Sequence, residues 1–573
     1  EICRLLKREA PQTRLLLGGP EVSYHYQRIL EENESVDWIC AGEGELTVPE
    51  LLHHHLRAPQ EPPAGVRGMA FRHRGEVGFA PPREFNKELD ALPSPFLTGV
   101  LGLDELLHSA YFQTTRGCPF TCTYCDYGRN QPYYEFGLGR VDEELRYFQR
   151  HRAKALFAVD ATFNYRRGRA NEILRRVADL GLEAMFAVEV FPSLIDDEMV
   201  ETLEHVKFAH VGIGIQTANP VAMKNIHRVW APARIQDKIE RLCRMDNVIV
   251  SLELIMGLPG DDLATFKQTI DWSFERGPHH IFALPLQILS RTPLEQQVEQ
   301  FQIVHGGPES GNEILSCFSF SREEVAVGKA MCAWHTLTQP LGFRLMHLLE
   351  LSPSEFLDRW AHHAYDHGLH DRLPELQRNR VPDDLRDRLL AEFCGFVAGL
   401  CRERDRPDLS PMLTELFRYL LLRRSVTREG AFFVDVLDVS CMTTEEKYHR
   451  LYSALPQDLP APDGLDPTRR LLPTGPFLAA SFPYDMQEMY PLLEATRMAA
   501  LPVQETRYVF FQDPDTGAGR AVRVDDFAAR FLEHCDGRRS LAEIVTVLDG
   551  SSPSPETQGR SLAELFVSFG LLR

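Results

Sequence analysis

Apolar residues are arranged differently in successive parts of the chain. In residues 1–56, "ICRLLKREA" has apolar residues at helical spacing, and "TRLLLGG" is a short apolar run closed by Gly18-Gly19-Pro20. "VDWICAGEGE" repeats that run and closes at Gly42-Glu43-Gly44-Glu45, and "LTVPELLHHHL" is amphipathic again. Two strands ending in glycine turns, with a helix between them, predict part of a parallel α/β sheet. Ligands of such sheets sit beyond the carboxyl ends of the strands. Two strands do not hold a sheet alone, so further strands are expected upstream of Glu1. A chain that begins without Met is accordingly read as a fragment or processed product. Residues 57–108 predict a hairpin around Arg74-Gly75 and a Pro-rich linker, "ALPSPF", at a domain boundary.

From 109 to 300 the period switches repeatedly between strand and helix. The strand-like runs are "AYFQTTRG", "ALFAVDATF", "EAMFAVEVF", "HVGIGIQT", "VIVSLELIMGLPG" and "HIFALPLQIL". Helix-like stretches such as "GRANEILRRVADLG" and "DDEMVETLEHV" separate them. Strands alternating with helices predict parallel pairing with right-handed crossovers. Six units predict an open, partial (β/α)6 barrel whose strand ends build the active site. Residues 301–504 are mostly helical in pattern, with "AFFVDVLDV" read as a strand and "RYVFFQD", just beyond them, as another. Residues 505–573 read as a small winged-helix-like unit, with "DFAARFLEHCDG", a helix capped by Ser540, and a last helix in "GRSLAELFVSFGLLR". The fold class is therefore α/β.

The 573 residues are enough for about three to five domains. A formal charge of −20, from 82 acidic and 62 basic residues, argues against a nucleic-acid binder with a broad basic face. No apolar run approaches the roughly 20 residues that span a bilayer. Nine of the 12 cysteines are dispersed, which fits a reducing cytoplasm better than a disulfide framework.

The remaining three stand in "RGCPFTCTYC", residues 116–125. Iron–sulfur clusters are held by cysteine thiolates, four for a four-iron cluster. Cys118, Cys122 and Cys125 would leave one iron without a protein thiolate, and an open metal position admits substrate. A zinc site lacking its nearby fourth ligand is the alternative.

Placed after the first strand of a βα barrel, C-x-x-x-C-x-x-C with Tyr124 before its last cysteine resembles the radical S-adenosylmethionine superfamily. The resemblance implies a [4Fe–4S] cluster on Cys118, Cys122 and Cys125 that chelates S-adenosylmethionine. It also implies cofactor contacts from Tyr124, Asp160 in "VDATFN", Glu189 in "FAVEVFP", Gln216 and Arg228 in "GIGIQTANP…NIHR", and Gly257 in "LELIMGLPGDD". "LLLGGPEVSYH" with "VDWICAGEGE" before the barrel resembles the Rossmann-like domain of the cobalamin-dependent branch. Gly18, Gly19, Gly42 and Glu43 are carried over as its cofactor contacts. The Asp-x-His-x-x-Gly element of some relatives is not in the sequence. "FLEHCDGRRSLAEIV" resembles a small peptide-binding domain of peptide-modifying enzymes, which a packing or dimerisation domain would match as well.

The resemblance implies methylation of an unactivated carbon of a small molecule or peptide. The cofactors would be the cluster, S-adenosylmethionine and, insofar as a fragment keeps its binding, cobalamin. An external reductant such as flavodoxin or ferredoxin would supply electrons. A radical rearrangement, cyclisation or sulfur insertion is the first alternative, and an iron–sulfur electron-transfer or binding protein the second. No catalytic acid or base is assigned.

Overall fold

A computed structural model describes residues 2–103, 109–127, 132–228, 230–307, 310–376, 381–406, 408–425, 477–482, 505–512, 519–524, 526–535, 538–548 and 563. The run "AFFVDVLDV" and all but one residue of the expected last helix lie outside them.

The first region has the expected order: α1 (Ile2–Glu9), β1 (Leu16–Leu17), α2 (Pro20–Glu32), β2 (Trp38–Cys40) and α3 (Gly44–Arg57). β1 and β2 pair in parallel. The hairpin β3 (Met69–His73) and β4 (Glu76–Phe79) joins the same sheet, because β3 pairs antiparallel with β2. The order β1-β2-β3-β4 thus supplies two of the strands that a two-stranded remnant lacks. Arg74 and Gly75 both have positive φ at the turn, the backbone that Gly tolerates best in a tight hairpin. Trp38, Cys40, Leu51, Met69 and Phe71 pack one small core around this sheet.

The next strand is β5 (Ser109–Phe112), followed by the small ribbon β6 (Thr115–Arg116) and β7 (Tyr134–Glu135). Then α4 (Leu138–Arg150), β8 (Ala155–Ala158), α5 (Arg167–Asp179), β9 (Met185–Val190), α6 (Asp197–Leu203) and β10 (Ala209–Gln216) alternate. After α7 (Pro220–Asn225) and α8 (Pro232–Cys243) come β11 (Val248–Met256), α9 (Leu263–Glu275) and β12 (His280–Pro285). The six long strands form one parallel sheet in the order β12-β11-β10-β9-β8-β5.

Both faces of this sheet are covered, and side chains alternate between them. Val211, Ile213 and Ile215 of β10 join Phe186, Val188 and Val250 in the core beneath the helices. On the other parity stand Glu189, His210, Gly212, Gly214, Gln216, Ser251 and Glu253. Polar groups and glycines therefore concentrate on one face of three adjacent strands. Asp262 caps α9 with a reciprocal Thr265 capping box, which ends the strand-to-helix turn after Gly260.

The sheet is followed by α10 (Pro293–Gln296), the pair β13 (Val304–His305) and β14 (Ile314–Ser316), and the long α11 (Arg322–Leu349). His335 of α11 bonds through Nε2 to the Ile281 carbonyl at 2.8 Å, which lays α11 along β12. Beyond it lie α12 (Pro353–Asp366), α13 (Leu373–Leu376), α14 (Asp383–Glu403) and α15 (Ser410–Ser425). Ser354 donates to Asp271 from its backbone N (2.8 Å) and its hydroxyl (2.7 Å), fixing α12 to α9.

The last sheet, β15 (Phe477–Phe482), β16 (Thr506–Gln512) and β17 (Gly519–Val524), is antiparallel. Its alternation divides it between two partners. Phe482, Tyr508 and Phe510 meet Tyr419 of α15, while Val509 and Phe511 pack against α16 (Asp526–Glu533) and α17 (Leu541–Val547). Ser540 and Glu543 exchange hydrogen bonds at the start of α17, as its composition predicts. No described helix is long and apolar enough to cross a membrane.

Candidate active site

The cysteine loop is tied down at both ends before any cofactor is considered. At its start, Asp160, two residues beyond the C-terminal end of β8, accepts from the backbone N–H groups of Thr114 (2.8 Å) and Thr115 (2.9 Å) and from the Thr114 hydroxyl. At its far side, Thr123 N–H donates to the Ile226 carbonyl and Leu294 N–H to the Thr123 carbonyl, both at 3.0 Å. Gly117 has φ 83°, which lets the chain reverse before Cys118.

This loop closes one side of a cavity of about 370 Å³. Cys118, Cys122 and Cys125 all line it, together with Tyr124, Glu189 and Arg228. No other Cys and no His lines it among the described residues. Burial pushes the Cys125 thiol up to about 11 and raises that of Cys118, whose sulfur lies 3.8 Å from the Thr162 hydroxyl. Thiols held protonated this way must lose protons on taking up metal.

Arg228 reaches the same cavity. It donates to the Gly214 carbonyl from Nη2 (2.7 Å) and Nε (3.2 Å), and from Nη1 to the Cys122 sulfur at 3.6 Å. Its guanidinium lies 4.5 Å from the centre of the Phe191 ring, which stacks in turn on Phe120 at 4.1 Å. Burial opposes the Arg228 charge, but Tyr124, Cys122 and Glu253 around it more than offset that. Two glycines make the arrangement possible. A Cβ on Gly212 would stand 2.4 Å from the Glu189 carboxylate, and one on Gly214 would stand 2.5 Å from Arg228 Nη2.

Burial, and then the neighbouring Glu253 carboxyl, push Glu189 well above the usual carboxylate range. Burial raises Glu253 as well, against the pull of Arg228 and a hydrogen bond from Gln216. Gln216 ends β10 at a register shift with φ 64°, and its Oε1 is buried with no hydrogen-bond partner among the described residues. A buried polar atom of that kind calls for a ligand or water.

Of the residues expected from sequence, the structure gathers Cys118, Cys122, Cys125, Tyr124, Glu189, Gln216 and Arg228. Asp160 borders the cavity, but its oxygens are spent on Thr114 and Thr115, so its observed work is to hold the cysteine loop. Gly257 does not line the cavity. Its φ of 91° and the 2.8 Å approach of Ile314 to its missing Cβ give it a packing role. Glu253, Thr162, Phe120 and Phe191 were not expected. The signal for Glu253 was present: it is the single charged position inside the apolar run "VIVSLELIM".

Gly18, Gly19 and Gly42 lie at the C-terminal ends of β1 and β2. Gly19 and Gly42 have φ 104° and 105°, and nothing lies within 4 Å of a Cβ on any of the three. Glu43 faces the other way. Its carboxylate accepts from Asn86 N–H (2.9 Å) and Arg116 Nη1 (3.1 Å), and Arg116 also pairs with Glu45 at 2.8 Å. Arg116 directly precedes Gly117 and Cys118, so these bridges tie the first sheet to the cysteine loop.

Residues 112–273 match the radical SAM superfamily. The chain is similar to the cobalamin-dependent radical SAM methyltransferase TokK of Streptomyces tokunonensis, 27% identical over 321 residues, 52% of this chain and 47% of that protein. It is similar to the 2-(S-pantetheinyl)-carbapenam-3-carboxylate methyltransferase of Streptantibioticus cattleyicolor, 28% identical over 312 residues, 51% of this chain and 45% of that protein. The chain thus spans about half the length of these curated relatives. Among solved structures, the radical S-adenosylmethionine methyltransferase TsrM of Kitasatospora setae, with cobalamin and a [4Fe-4S] cluster bound, has a TM-score of 0.48 at 16% identity, covering 63% of this chain and 83% of that one.

Proposed function

We propose that this chain, which belongs to the cobalamin-dependent radical S-adenosylmethionine family, methylates an unactivated carbon of a small molecule. The observation that carries this reading is the convergence of three thiols on a cavity that offers no fourth Cys or His among the described residues and is walled by Glu189 and Arg228. Cys118, Cys122 and Cys125 would hold a [4Fe–4S] cluster, and the donor set fits it: three sulfurs on one compact loop, with the cavity open beside them. When bound, the cluster and cobalamin would supply one-electron cleavage of S-adenosylmethionine and carriage of a methyl group.

The chain's own residues would then do the positioning. Glu189 and the unpartnered Gln216 Oε1 can accept hydrogen bonds from ribose hydroxyls or an ammonium. Arg228 would keep a fixed positive charge beside Cys122. Tyr124 and the Phe120–Phe191 stack keep the cavity wall apolar, which strengthens every charge inside it. Gly18, Gly19 and Gly42 leave backbone open at the strand ends, where the cobalamin tail would lie. Glu43 and Glu45, through Arg116, would hold that surface against the barrel. Electrons would come from an external reductant such as flavodoxin or ferredoxin. Both curated relatives are methyltransferases by name, and the acceptor named for one of them, a 2-(S-pantetheinyl)-carbapenam-3-carboxylate, supports an acceptor of small-molecule class here.

The test is turnover of the anaerobically reconstituted protein. The expected result is 5′-deoxyadenosine together with S-adenosylhomocysteine, with iron, sulfide and both products lost in Cys122→Ala. Deoxyadenosine without S-adenosylhomocysteine would replace methylation by a radical rearrangement, cyclisation or sulfur insertion. Unchanged iron and sulfide in Cys122→Ala would overturn the ligand assignment.

A further inference from the structure

Away from the barrel, two histidines and a carboxylate converge where α12 meets α14. His363 is on α12, His367 is the residue at which that helix ends, and Glu392 faces them from α14. Positions i and i+4 share one helix face, so His363 and His367 present their rings together. The rings stack with centroids 4.0 Å apart. His363 also stacks on Trp360, which holds its orientation. One donor atom from each of the three residues lies within 4.8 Å of the other two.

The hydrogen bonds decide what these atoms can do. His367 Nδ1 lies 2.7 Å from the His363 carbonyl. A carbonyl oxygen only accepts, so Nδ1 carries the proton, and in the neutral ring Nε2 is left with its lone pair. That Nε2 lies 3.7 Å from Glu392 Oε2, and His363 Nε2 lies 3.2 Å from the same oxygen. A histidine that spends Nδ1–H on a backbone carbonyl and turns Nε2 toward other donors has the arrangement of a metal ligand with its supporting contact in place. Tetrahedral zinc with bonds of roughly 2.0–2.1 Å sets its donors about 3.4 Å apart, between the two separations to Glu392 Oε2; the two histidine donors lie within 4.8 Å of each other, so the stacked rings tilt together to share one ion.

We propose that His363, His367 and Glu392 form a binding site for one divalent transition-metal ion, zinc by its ligand set, that clips α12 to α14. Three protein donors leave the fourth tetrahedral position to water. Because Ser354 and Lys267 tie α12 to α9 (Lys267 pairs with Asp358 at 2.9 Å), the clip would brace the helical layer behind the barrel. The site is separate from the cysteine loop and does not depend on the reading given to that loop.

The test uses the full chain with its cluster loaded, dialysed anaerobically against zinc and then freed of excess metal. The expected result is one retained zinc per chain, with a zinc-edge absorption spectrum showing nitrogen and oxygen neighbours and the outer-shell scattering of imidazole. His367→Ala and Glu392→Gln, the first at an exposed side chain, should each bind zinc at least ten-fold more weakly with iron content unchanged. Equal zinc retention in wild type and variants, or sulfur in the zinc shell, would assign the metal to thiols and overturn the proposal. Failure of the wild type to retain zinc would leave the cluster as a histidine–carboxylate contact between the two helices, and would overturn it equally.

Discussion

Arg228 and Cys122 are joined by a hydrogen bond from Nη1 to the sulfur, 3.6 Å long, although 106 residues separate them in the chain. The guanidinium cannot easily leave, because the Gly214 carbonyl accepts from two of its nitrogens and Phe191 lies beneath it. In the proposed cluster, a positive charge beside the Cys122 sulfur would stabilise the reduced state. Arg228→Gln should therefore lower the cluster's reduction potential, on the order of 50 mV, with iron content unchanged. A redox titration followed by electron paramagnetic resonance measures it, and an unmoved or raised potential would show that Arg228 does not act on the cluster.

Gly212 offers a cleaner probe of Glu189. An added methyl would stand 2.4 Å from the carboxylate, which is the free end of a flexible side chain. Gly212→Ala should therefore displace the carboxyl at a stability cost of about 1–3 kcal/mol. S-adenosylmethionine affinity should fall about ten-fold, equivalent to about 1.4 kcal/mol. Equilibrium dialysis of the reconstituted variant measures it. Unchanged affinity would remove Glu189 from the cofactor contacts.

The six barrel strands and the three cysteines were legible because each rests on local information: period-two alternation, glycine turns and close spacing of one residue type. The roles of single polar residues were less legible because they depend on partners far along the chain. Asp160 looks like a ligand contact until Thr114 and Thr115, 46 and 45 residues away, are seen to occupy its oxygens. Gly257 and Glu253 stand in one motif, and the motif alone does not say that the glycine meets Ile314 while the glutamate shares a buried site with Gln216. The hairpin at 69–79 was visible, but its pairing with β2 is a matter of non-local register.

The bridge between the first sheet and the barrel can be cut at one residue. Arg116 serves Glu43, Glu45 and the Gln113 side chain at once, and it and Glu43 are 13% and 15% exposed. Arg116→Ala takes the cation away from a mostly buried carboxylate, leaving it the Asn86 N–H, and should cost about 3 kcal/mol. Arg116→Lys should recover only part of this, because a single ammonium cannot reproduce the planar fork. Urea unfolding of both variants measures it. Equal stability of the lysine variant and the wild type would show that charge alone holds the junction.

The barrel interior predicts acid sensitivity of definite sign. His210 sits on the polar face of β10 with Nε2 2.7 Å from the Ser251 hydroxyl, and burial depresses it to about 4. Burial, together with His210 and His279, depresses the nearby His280 as well. The unfolded chain takes up a proton on this histidine near pH 6.5, which the folded chain refuses until about pH 4. The unfolded state therefore binds more protons between those values, and stability falls as the pH drops through that window. His210 alone should account for about 2 kcal/mol lost between pH 7 and pH 5. His210→Gln has no proton to take up, so it should be less stable than the wild type at pH 7 but lose less on acidification. Urea midpoints of both proteins at pH 7 and pH 5 decide the matter. If both lose the same stability over that interval, the acid sensitivity belongs to another group, and the neutral histidine in the barrel floor is not its source.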